Sequence, residues 1–192
     1  MQRQFSSLQY QPAAAELYEK GRPIPAPLAV GLLVLGTTLL RLAFGAALGL
    51  GVDESYMVAS GRVLSLGYYD HPPIAWWLSW GSAHLFGSEA AMLVRLPFIA
   101  LFAVSSWLMY RLGCAIVGAQ AGLWAAVLLN ISPVFGVTTG TWVLPDGPLD
   151  CALLGAALCL VHALESRTLG WWLGAGLCGG AALLSKYSAA LG

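Results

Sequence analysis

Charge is what this 192-residue sequence lacks most: 9% of its residues are charged against 58% hydrophobic, with a mean hydropathy of +0.74. Soluble domains carry about 25% charged residues, so this composition belongs to a chain solvated by lipid. Net charge is also missing, because nine Lys plus Arg balance nine Asp plus Glu. No basic or acidic excess advertises a nucleic-acid or polyelectrolyte partner, and only the placement of the few charges is informative. Cysteine is sparse. Cys114, Cys151, Cys159 and Cys178 lie in or beside apolar stretches, and none forms a C-x-x-C pair. They read as small buried hydrophobes, not as a disulfide framework or a zinc site.

What is abundant is apolar sequence in blocks. A membrane helix needs about 20 such residues, and the pattern predicts an all-α polytopic membrane protein with about five spans. These are Leu28 to about Leu48, Met92 to Ile116, Ala119 to Val137, Leu149 to Leu164 and Trp171 to Leu191. Pro97 and Pro133 sit where a helix starts, stops or kinks. Residues 49–89 differ in character and form a loop. Asp53 and Glu54 open a short helix to about Leu66, with acids at the positive end of its dipole. Tyr56, Met57, Ser60, Val63 and Leu64 would share its apolar face, leaving Glu54 elsewhere. After a turn at Tyr68-Tyr69-Asp70-His71-Pro72-Pro73, Ile74 to Phe86 carries Trp76, Trp77 and Trp80 and suits an interfacial or re-entrant helix.

Lys20, Arg22, Arg111 and Arg167 fall on one side of a five-span topology, which is cytoplasmic by the positive-inside rule. Residues 1–27 are then a cytoplasmic N-terminal segment, too long and polar for a signal peptide, and the first span is an uncleaved anchor. The sequence stops within an apolar stretch, Ala189-Ala190-Leu191-Gly192, as expected of the N-terminal part of a longer protein.

This topology gathers ionisable residues on the outer face: Asp53, Glu54, Asp70, Asp146, Arg95, Lys186 and, in the outer third of the first span, Arg41. Charges at membrane depth are costly and usually face a cavity or a partner. Two readings stand for each. Arg41 and Arg95 either line an outward pocket or close ion pairs with Glu54 or Glu89. Asp53 caps its helix or serves a site, and Asp146 is a turn residue or a site carboxylate. Asp150 reads as a first-turn acid, and Lys186 lies beyond the small-residue run Gly174 to Ala182, where close helix packing would press it against neighbours. The Asp70-His71 pair, held by two prolines, suits a divalent ion or a phosphate. His84 and His162 carry no assigned role.

The order Asp53-Glu54, Tyr68-Tyr69-Asp70-His71-Pro72-Pro73, Arg95-Leu96-Pro97, Pro145-Asp146 and Lys186-Tyr187 resembles the N-terminal part of polyprenyl-phosphate-sugar-dependent glycosyltransferases of the GT-C class. The nearest group is the bacterial relatives of protein O-mannosyltransferases and of lipid A aminoarabinose transferases, and the resemblance covers Leu28 to the end. It implies transfer of a sugar, with inversion, from a polyprenyl-phosphate carrier to a lipid, glycan or protein acceptor at the outer face of a bacterial inner membrane. By the same resemblance Asp53 is the catalytic carboxylate with Glu54 beside it. His71, Arg95, Lys186 and Tyr69 contact the carrier phosphate, with His71 standing where some relatives have Lys. Asp70 and Asp146 are the positions for an optional divalent metal ion. Two other readings, a non-catalytic remnant and a lipid-carrier-binding or transport module, would show an early stop or polar residues along the midplane.

Overall fold

The computed structural model describes residues 25–191, so most of the N-terminal segment, with Lys20 and Arg22, lies outside the described residues. The elements follow the hydropathy blocks: α1 (Ala26–Ala47), α2 (Val52–Ser60), α3 (Ile74–Phe86), α4 (Ala91–Ile116), α5 (Ala119–Ile131), a π-helical segment (Pro133–Thr139), α6 (Asp146–Ser166), α7 (Leu169–Ser185) and a terminal 3₁₀ turn (Tyr187–Leu191). The described residues contain no strand. This is a polytopic helical membrane architecture.

By length and composition α1, α4 and α6 qualify as spans, and α5 with the π segment makes a fourth if that bent pair is one crossing. The fifth expected span is shorter than anticipated. Its α-helix ends at Ser185 after 17 residues, about 25 Å of rise against a hydrocarbon core of about 30 Å. The third is bent by 64°, for a reason visible locally. Pro133 has no N–H to donate, and it pushes Ser132 to an extended conformation (φ −63°, ψ 125°), so the α-helix stops one residue earlier.

The spans pack as sequential neighbours. α6 lies along α7, while α4 touches α1, α5 and α6 and so occupies the centre. Where α4 meets α5 the backbones nearly touch: a Cβ on Gly113 would come within 2.5 Å of the Gly122 Cα, an approach that only glycine permits. Side-chain hydrogen bonds add to this contact. Asn130 donates to the Ser106 hydroxyl and accepts from Thr37, both at 2.9 Å, tying α5 to α4 and α1.

The loop between α1 and α4 has its own core of Met57, Val58, Ala75, Trp76, Val94, Phe98 and Val143. Trp76 is fully buried, with Tyr68 stacked on it at 4.4 Å and its indole N–H donating to Ser60. This departs from the expected pattern for α2. The helix ends at Ser60, Val63 and Leu64 lie exposed beyond it, and its buried face is Glu54, Met57 and Val58. Glu54 turns inward because its charge is met there.

Candidate functional site

The inward carboxylate meets Arg95. Glu54 is 1% and Arg95 2% exposed, and they form a bidentate pair: Arg95 Nε donates to Glu54 Oε1 at 2.8 Å and Nη2 to Oε2 at 2.5 Å. Each side chain is then completed by backbone. Glu54 Oε2 accepts the Gly51 N–H at 2.8 Å, closing the first turn of α2, and Oε1 accepts the Val143 N–H at 3.0 Å. Arg95 Nη1 donates to the carbonyls of Gly45 and Leu48, and Nη2 to that of Gly49. All five guanidinium N–H groups and the four carboxylate lone-pair positions are thus engaged. The arginine also meets the carbonyls left open where α1 ends, the negative pole of its dipole. One pair therefore fastens the end of α1, the start of α2, α4 and the turn that leads into α6. Burial pushes the Glu54 carboxyl upward, but the Arg95 bonds, the Gly51 and Val143 amides and the Arg95 charge outweigh it. The net displacement is below the usual glutamate value.

Around this clamp Asp53 and Asp70 are exposed and Asp146 is partly so. Asp53, next in sequence, is exposed and joins no ion pair among the described residues. Tyr56 lies three residues on, on the same side of α2. Asp70 sits against the Tyr56 hydroxyl, which its hydrogen bond and charge hold above the ordinary tyrosine value. Asp53, Tyr56 and Asp70 therefore share one face of the loop. Asp146, the first residue of α6, accepts from Lys186 Nζ at 2.7 Å. It follows Val143 by three residues, so it lies within about 11 Å of the amide that Glu54 holds. Lys186 is positioned by the end of α7: it is the extended residue after Ser185, where the α-helix stops.

The remaining expected residues fall less centrally. Tyr69 is 97% exposed. His71 is half-buried near Trp76, ring centroids 6.5 Å apart, and its Nδ1 is buried without a hydrogen-bond partner. Glu89 pairs with Arg62 on the surface, not with Arg41 or Arg95. Among the described residues no three His, Cys, Asp or Glu side chains gather as a metal-ligand cluster, and Asp70 and Asp146 have Tyr56 and Lys186 as neighbours. The donor set present does not by itself build a metal centre.

Two residues of the site were given no clear part by sequence. Asp150, expected in a first turn, lies one turn inside α6, and its Oδ2 is buried without a partner. Arg41 is buried with its Nε donating to the Gly136 carbonyl at 3.1 Å and its guanidinium 4.2 Å from the Phe102 ring centroid. The α1 register placed Arg41 at this depth, but no sequence signal indicated that a π segment would supply its surroundings.

Residues 70–192 match the dolichyl-phosphate-mannose-protein mannosyltransferase family. The chain belongs to this family. It is a membrane glycosyltransferase family of the GT-C type, in agreement with the class that the ordered motifs resemble. No curated protein and no solved structure matches the chain significantly. The matched region begins at Asp70 and takes in His71, Arg95, Asp146 and Lys186, while Asp53 and Glu54 precede it. The latter join the family region through the Glu54–Arg95 pair.

Proposed function

We propose that the chain forms the donor-side half of a site that transfers a sugar from a polyprenyl-phosphate carrier to an acceptor at the outer face of a bacterial inner membrane, with the N-terminus cytoplasmic. The observation that carries this reading is the exposed Asp53 carboxylate on a helix whose next residue is pinned by Arg95. Such a carboxylate is free to act and fixed in place. Family membership supplies the reaction class.

In this scheme an acceptor hydroxyl attacks the anomeric carbon from the face opposite the phosphate, and Asp53 takes the hydroxyl proton as general base. The new glycosidic bond forms as the bond to the phosphate oxygen breaks, so the configuration inverts. Negative charge gathers on the departing carrier phosphate, where cationic or N–H donors stabilise it. Lys186 and His71, with its unpartnered Nδ1, are assigned that task, and Tyr69 lies on the exposed approach. Glu54 and Arg95 serve as positioning residues, because their donors and acceptors are already occupied by each other and by backbone.

The test is transfer of labelled sugar from polyprenyl-phosphate donors by the membrane-inserted protein. Asp53→Asn is expected to abolish transfer with insertion unchanged. Near-normal turnover by that variant would remove Asp53 from the mechanism.

A further inference from the structure

A cavity of about 460 Å³ lies between α1 and the bend after α5, lined by Leu40, Arg41, Phe44, Asn130, Val137 and Trp142, with Arg95 at its edge. Its walls are mostly apolar, and of the two cations in them Arg95 is already paired with Glu54. Arg41 is 7% exposed, yet among the described residues no carboxylate pairs with it, and its one hydrogen bond uses only Nε. Both Nη groups keep their donors. A buried charge without a counter-ion is expensive, so its retention here calls for an anion. Space for the guanidinium is made by glycine. A Cβ on Gly140 would lie 2.9 Å from Arg41 Nε, and one on Gly136 3.5 Å from Nη2. Gly136 in the π segment and Gly140 directly after it form a cradle that any larger residue would fill.

We propose that this cavity binds the phosphate group and first isoprene units of a polyprenyl phosphate, with Arg41 as the phosphate-binding residue. The inference rests on the lipid-linked donor proposed above, and it adds Arg41, whose Nη donors are open, to Lys186 and His71 as a phosphate contact, while Arg95, whose five donors are occupied, stays a positioning residue. Charge complementarity selects an anionic head, and Leu40, Phe44 and Val137 suit a hydrocarbon tail. Location favours the carrier over an ordinary phospholipid. The cavity shares Leu48, Trp142 and Arg95 with the surroundings of the clamp, so a phosphate held at Arg41 lies next to the pair that positions Asp53.

The experiment measures retention of undecaprenyl phosphate and, separately, of phosphatidylglycerol by the detergent-solubilised protein using native mass spectrometry. Arg41→Gln is expected to weaken undecaprenyl phosphate binding about tenfold or more, as loss of hydrogen bonds from a charged donor implies, while Arg41→Lys retains part of it. Val137→Trp, a change at a half-exposed wall position, is expected to block the tail and lower binding with Arg41 intact. Wild-type affinity in Arg41→Gln overturns the proposal, as does an equal loss of phosphatidylglycerol, which would make this a general anionic-lipid site. Selective loss of undecaprenyl phosphate supports it. If the wild type binds undecaprenyl phosphate through Arg41 but transfers sugar from no polyprenyl-phosphate donor, the site stands and the proposed reaction falls.

Discussion

Arg95 and Glu54, 41 residues apart in sequence, satisfy each other so fully that neither retains a free donor or acceptor position. The consequence is mechanical. Removing one partner of a buried pair leaves an uncompensated charge and costs about 3–5 kcal/mol. Arg95→Gln and Glu54→Gln are each expected to loosen the loop that carries Asp53, detected as faster protease cleavage between residues 49 and 89. The double variant, lacking both charges, is expected to be less impaired than the sum of the single ones. Strict additivity would show that the two side chains do not act as a unit.

How far the sequence reveals this arrangement depends on the range of the forces involved. The limits of α1, α3 and α4 are legible within two residues, because they follow from local hydropathy and from Gly87, which takes φ 64° after α3. That Asp146 and Lys186 lie at one end of the bundle is legible too, from the alternation of the spans, but their ion pair is seen only in the fold. The buried face of α2 is not. Period alone puts Glu54 outside, and only a partner on α4 turns it inward. The π segment is likewise tertiary in origin: Pro133 announces a break, but the glycine cradle has meaning only with Arg41 present. The end of α7 at Ser185 is not legible either, since the apolar run continues past it to Leu191.

Acid should undo the clamp before it undoes the spans. The Glu54 carboxyl is displaced below its ordinary value of 4.5, so its stabilising contribution is complete above that value and is lost as pH falls through the lower folded-state value. Trp76 sits in the loop core and reports on its opening by fluorescence. The wild type is expected to hold its emission down to about pH 4 and to change below it. In Glu54→Gln this acid-induced step should disappear, leaving a loop that is weaker at every pH. A step of unchanged size in that variant would assign the acid sensitivity to another group.

The α4–α5 contact gives a prediction independent of the site. A Cβ on Gly122 would lie 2.5 Å from the Tyr110 carbonyl oxygen and 3.0 Å from the Cys114 nitrogen, both backbone atoms. Gly122→Ala must therefore separate the helices, whereas Gly179→Ala has open space and gains helix propensity of about 1 kcal/mol. Thermal denaturation in detergent is expected to show a clear fall for the first and no fall for the second. Equal stability of the two variants would mean that α4 and α5 do not approach this closely.

Lys186 and Asp146 make a half-exposed ion pair, 2.7 Å apart and with 28% and 35% of their side chains accessible. A pair so placed contributes little to stability, about 0–1 kcal/mol, which separates a binding role from a structural one. Lys186→Ala is expected to leave denaturation nearly unchanged while weakening retention of the carrier lipid more than that of an acceptor, measured by titration with each. Asp146→Asn frees the ammonium from its counter-ion and is expected to strengthen carrier binding, while lowering turnover if the aspartate holds the lysine in its working position. Because the two substitutions push lipid affinity in opposite directions, a shared loss of stability cannot produce both results. Parallel losses of affinity in the two variants would show that the pair acts only as a fastening between α6 and the end of α7.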